Sequence, residues 1–179
     1  MKVCLFWAAS VALSATDAPR GPEAPELNRK VLEFARDNVG RKVGDGECAT
    51  LAAEALRAAG AKGLSTGRDG EYVWGRLVRA VTPGGKTAGD VLPGDVLQFR
   101  DAVLAGRVGR STVESTYRHH TAVVAAVKQD GKVVEVLHQN YAGPGDDDEA
   151  RLKVRRTTLR LGELKRGWVK VYRPTPDGE

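Results

Sequence analysis

Helical periodicity in this chain is confined to residues 27–59, and from residue 96 onward the apolar residues come in short β-branched runs. That ordering limits the architecture more than any other feature. Leu27, Val31, Leu32, Phe34 and Ala35 recur at helical spacing with Gly40 beyond them, which predicts a helix over 27–38. Cys48, Leu51, Ala52, Ala55, Leu56 and Ala59 fall on one face of a second helix over 47–59, with Glu54 and Arg57 on the other. Gly60 and Gly63 stop it. Val96–Phe99, Thr121–Val127, Val133–Leu137 and Trp168–Tyr172 read as strands, with a short one at Val78–Val81. Helices first and strands after predict an α+β domain, amino-terminal helices packed on an antiparallel β-sheet. A chain of 179 residues supplies one core of this kind and hardly two. The domain is expected over 27–174. Arg100–Arg118 reads as a long basic loop beside a site, and Gly143–Glu149, with Asp146, Asp147 and Asp148, as a solvated loop.

The first residues have the pattern of an export signal. Met1-Lys2 is a positive start, Val3–Ala15 is mostly apolar, and small residues follow at Ser14, Ala15 and Ala18. Residues 1–18 are therefore expected to direct the protein to a secreted or periplasmic location, and residues 19–26 to form a linker. The apolar run is short for a bilayer span, so no transmembrane segment is expected after cleavage. A net charge of +5 is spread along the chain, and no aromatic residues interleave with the Lys and Arg residues as a base-stacking platform requires. Nucleic acid is thus not an expected partner. Of the two cysteines, Cys4 would leave with the signal, and Cys48 would enter an oxidising compartment without an intrachain partner.

Cys48 stands at the first turn of its helix, after Asp45-Gly46-Glu47. Unpaired N–H groups and the helix dipole favour thiolate there and could hold an oxyanion. Glu47 works against that by placing a negative charge next door. All three histidines, His119, His120 and His138, fall in one expected hairpin whose strands are joined by Gln129-Asp130-Gly131. A two-residue Asp-Gly turn would put His119 on the face of His138 and Asn140. A three-residue loop with Gly131 left-handed would instead bring His120, His138 and Asn140 together, and turn chemistry prefers it. A thiol, an imidazole and a third polar group are what nucleophilic acyl transfer needs.

Four segments, Gly44–Thr50, Pro93–Phe99, His120–Val124 and Leu137–Asn140, occur in the order seen in CHAP amidase/peptidase domains, which the chain resembles over about residues 27–172. Those domains belong to the papain-like superfamily together with NlpC-type cell-wall peptidases. The resemblance implies Cys48 as nucleophile and His120 as base. His138 stands where CHAP domains have glutamate, as in NlpC-type enzymes, whose third member is commonly histidine. Asn140 matches the asparagine of the CHAP pair and would support His138, while Glu47 replaces a frequent glutamine. The Gly-Glu-Cys wording is also similar to a cysteine-proteinase-fold domain of certain fungal cortical-actin proteins.

The expectation is therefore a monomeric, exported cysteine-dependent amide or peptide hydrolase, with a thioester intermediate and no cofactor or metal. A peptide or peptidoglycan-like substrate would be its partner. Two other readings stand beside it: a catalytically degenerate secreted binding module of the same fold, and a zinc site formed by Cys48, His120 and His138. Asp95 is expected to be structural, Trp74 to lie in the core or line a cleft, and Tyr141 to contact substrate.

Overall fold

The computed structural model describes residues 24–85, 90–108, 110–143 and 145–178. The expected export signal, Cys4 and most of the linker lie outside them. Helix α1 spans Glu26–Asp37 and buries Val31, Leu32 and Ala35, while α2 spans Cys48–Ala59 and buries Leu51, Ala52, Ala55 and Leu56. Both are the helices that the periodicity predicts. Gly60 closes α2 in the left-handed conformation (φ 70°), and the Ala61 N–H bonds back to the Leu56 carbonyl. Before α2, one Asp45 carboxylate oxygen accepts from the Glu47 N–H and the Thr50 hydroxyl. That bond satisfies a donor that the helix start would otherwise leave free.

Two short strands, β1 (Ser65–Thr66) and β2 (Tyr72–Val73), pair with each other. The main sheet contains β3 (Arg76–Val81), β4 (Val96–Val108), β5 (Ser111–Lys128), β6 (Val133–His138), β7 (Arg155–Arg160) and β8 (Leu164–Arg173). Its order is β3-β8-β4-β5-β6-β7, and every neighbouring pair is antiparallel. A single turn, α3 (Asp148–Arg151), precedes β7. The fold class is α+β, as the order of elements predicts. One face of the sheet carries Val96, Val123 and Leu137 against Leu51, Ala55 and Val31 of the helices. The other carries Leu97, Phe99, Val124, Val136 and Val171 in a second apolar cluster without helical cover. A sheet buried on both faces explains why its strands read as apolar runs rather than strict alternation.

Three expectations need correcting. Residues 100–118 are not a loop: β4 and β5 continue as one hairpin, pairing from Arg100↔His119 to Val108↔Ser111. The exposed, polar Ser111–Glu114 stretch hides this strand from a hydrophobicity reading. The β5–β6 turn has four residues, 129–132, rather than three, because Lys128 pairs with Val133. A bulge between Val124 and Ala126 absorbs the difference, so that Val123 still pairs with Leu137. Finally, the acidic loop is not merely solvated. Asp146 pairs with Arg155, and Asp147 caps α3 through the Ala150 N–H at 2.6 Å.

Pro93-Gly94-Asp95 is the structural turn that its composition predicts. Gly94 has φ +83°, and a Cβ there would lie 2.0 Å from the Asn28 carbonyl oxygen, so the turn and α1 touch backbone to backbone. Asp95, fully buried, accepts from the Leu92 N–H, the Asn28 amide and the Arg173 guanidinium. A buried charge held by this many donors is tolerated where an unpaired one would not be.

Candidate active site

The sheet brings the start of α2 to the end of β6, and Gln139 is the latch. Its side chain, fully buried, accepts from the Val43 N–H at 3.1 Å and donates to the Val43 and Glu47 carbonyls at 2.9 and 2.8 Å. The loop that delivers Cys48 is thus fixed to the strand that delivers His138. Sequence reasoning quoted Gln139 within a motif but assigned it no role.

Cys48 is partly exposed, a free thiol at the first position of α2. Its sulfur accepts from the backbone N–H of Thr121, one residue beyond His120. Burial raises the thiol pKa above its ordinary value; the Thr121 and helix N–H groups pull the other way, and the neighbouring Glu47 carboxylate raises it further. No side chain caps α2 from the Glu47 position. Glu47 instead accepts from the Asn140 amide at 2.6 Å, and Asn140 accepts from Arg151. Asn140 adopts φ +55° to make this bridge.

His120 and His138 share a face as the register predicts, but it is the sheet face away from the helices and so away from Cys48. The expected grouping of Cys48 with His120 and His138 is not formed, and both imidazoles are buried. His120 Nε2 is 2.8 Å from His138 Nδ1, and His138 Nε2 is 2.9 Å from the Thr157 hydroxyl. Only one nitrogen of His120 is thereby used, and Nδ1 is left for another group. Burial first, and then mutual or neighbouring charge, lowers both imidazoles: His120 to about 4, and His138 well below the ordinary range. Both are neutral at pH 7. Phe99, Tyr117 and Tyr141 surround the pair, with Tyr141 stacked on His138 at 4.8 Å between ring centres. Thr157 is a member that sequence reading missed, because β7 is an edge strand of polar residues, RRTTLR, with no apolar signature.

His119 points to the opposite face, the one that carries α2 and Cys48, and is therefore the histidine on the thiol's side of the sheet. Its ring lies against Tyr72 at 4.6 Å and its Nε2 is 3.7 Å from a carboxylate oxygen of Glu71, which Arg100 also engages. Burial and Arg100 lower its pKa, and Glu71 opposes them. Trp74 is a core residue, its indole N–H bonded to Gln98 at 2.9 Å, and Gln98 also accepts from Thr121. Among the described residues no histidine is hydrogen-bonded to the thiol of Cys48, and no group of three or more His, Cys, Asp or Glu residues could hold a metal ion. No helix of the described residues is long and apolar enough to cross a membrane.

Comparison with known proteins places this geometry in a family. One solved structure, described as the crystal structure of Ly7917 with the hydrolyzing product of MDP, is similar at 18% identity with a TM-score of 0.43. The match covers 82% of this chain and 62% of that one. No curated protein sequence matches. A family model, the AIM3/BBC1 cysteine proteinase-fold domain, matches residues 24–178, nearly the whole described region. With two amino-terminal helices on an antiparallel sheet and the free thiol at the second helix's start, the fold is papain-like, and the chain belongs to the AIM3/BBC1 cysteine proteinase-fold domain family.

Proposed function

We propose that the chain is a cysteine-dependent amide or peptide hydrolase that works through a thioester on Cys48. The single observation that carries this reading is a free thiol at the start of α2 on the same sheet face as the His119 imidazole, which has Glu71 and Arg100 beside its ring. The Cys48 sulfur attacks the carbonyl carbon, its proton passing to a ring nitrogen of His119 and on to the leaving amine as the C–N bond breaks. Water, deprotonated by the same nitrogen, hydrolyses the thioester and frees the thiol. Backbone N–H groups at the start of α2 face the developing oxyanion.

Thiol and imidazole both rest uncharged, and this sets the cost of the first step. Burial raises the Cys48 thiol while burial and Arg100 lower the His119 imidazole, so the proton transfer is uphill before Coulomb attraction returns any of it. That observation favours a second reading, a binding module of the same fold whose site no longer turns over. Glu47 beside the thiol supports it too. The export signal read at residues 1–18 and a peptide or peptidoglycan-like substrate for a monomeric enzyme belong to the same proposal. The two readings separate on hydrolysis of peptidoglycan fragments and simple peptide amides, with Cys48→Ala as control. Release of amine by the wild-type protein alone supports the hydrolase. Binding of a fragment without release supports the module.

A further inference from the structure

Beside Tyr141 and outside the His120–His138 pair, a cleft of about 570 Å³ opens between the outer part of the β4–β5 hairpin and the edge strand β7. Its size falls in the range of small-ligand sites. Arg107 of β4 stands on one wall and Arg160, at the end of β7, on the other. Neither forms an ion pair among the described residues, whereas Arg155 and Arg156 of the same strand are engaged by Asp146 and Glu135. Three hydroxyl-bearing residues, Ser115, Tyr141 and Thr158, also line it. The oxygens of Ser115 and Tyr141 are 3.5 Å apart. Glu114, also without a partner among the described residues, is the one carboxylate in the lining.

From this juxtaposition we propose that the cleft binds the free carboxylate end of a peptide, with Arg107 and Arg160 supplying charge and the three hydroxyls supplying hydrogen bonds. Guanidinium groups suit this because they present paired donors to a planar carboxylate. The hydroxyls donate to the same oxygens. Glu114 opposes the anion and keeps the cleft from accumulating multiply charged ligands. The inference does not depend on turnover at Cys48.

The test uses full-length Cys48→Ala protein, so that nothing is consumed, and two probes at low ionic strength. They are acetyl-trialanine with a free carboxylate, and its carboxamide. Isothermal titration is expected to show the acid binding at least about tenfold more tightly than the amide, the scale of one charge-assisted hydrogen bond. Arg107→Gln and Arg160→Gln should each weaken acid binding about five- to tenfold and leave the amide unchanged, whereas Glu114→Gln should strengthen the acid. Arg76→Gln, on the opposite edge strand, should change neither. Equal binding of acid and amide, no binding of either, or arginine variants that bind the acid like the parent would each overturn the proposal. Circular dichroism of each variant excludes misfolding as the cause of a loss.

Discussion

Replacing Glu47 with Gln isolates the charge that sits beside the thiol. The amide oxygen of Gln can still accept from Asn140, so the 2.6 Å bridge that holds the α2 start is retained. Only the charge goes. Glu47 is exposed and Cys48 partly so, which puts the effective dielectric near ~40–80 and the separation of neighbouring side-chain charges near ~6 Å. The interaction is then about 0.7–1.4 kcal/mol, equivalent to lowering the thiol pKa by about 0.5–1. Measuring the iodoacetamide rate against pH in a Cys4→Ser background, where Cys48 is the only thiol, gives the midpoint directly. It should fall in Glu47→Gln, and the gap between the two proteins should shrink in 1 M salt, where such charges are screened. A midpoint that stays put or rises would refute the electrostatic reading of Glu47. It would mean that burial alone holds the thiol protonated.

Three other perturbations follow from the same geometry. Gln139→Ala removes the latch and strands the buried Val43 N–H, which should cost about 2–4 kcal/mol in urea unfolding and loosen the α2 start. Gly94→Ala places a Cβ 2.0 Å from the Asn28 carbonyl oxygen at a positive φ, and should lower Tm by more than any surface change in α1. Acid should destabilise the fold through His120: unfolded, it protonates near ~6.5, but folded only at about 4. Its contribution is therefore complete above pH ~6.5 and is lost as pH falls towards 4. The full loss is about 3 kcal/mol, measurable by urea titration at pH 7.5 and 4.5. If residues 1–18 are an export signal, the amino terminus recovered from a secreting host should begin at residue 16 or 19 by mass spectrometry.

Both helices were legible because their apolar faces repeat every three to four residues and glycines end them. The α+β class followed from their position ahead of the strands. The outer β4–β5 hairpin was not, since Ser111–Glu114 is exposed and polar, so its pairing is set by the register inherited from Phe99↔His120 rather than by its own composition. Strand β7 escaped for a related reason. An edge strand presents only one side to a neighbour, and RRTTLR buries little beyond Leu159. Cys48 and the three histidines announce themselves by residue type, but that His119 rather than His120 faces the side of the thiol does not. Thr157 and Gln139 do not, because a threonine or glutamine acquires its role only from the partner that the fold brings to it. The β5–β6 turn is instructive in another way. Counting turn residues gave one too few, yet the bulge before it kept Val123 opposite Leu137, the register on which the His120–His138 contact depends.

The central claim is that Cys48 forms and discharges an acyl intermediate with help from His119. Intact-mass spectrometry after mixing the protein with an activated N-acetylalanine ester tests it in one experiment. The account predicts an acyl adduct that maps to Cys48, clears with time, and in His119→Ala forms and clears at least about a hundredfold more slowly, the usual scale of general acid–base assistance. An adduct that never forms on Cys48, or that forms and clears at the same rate without the imidazole, would contradict it.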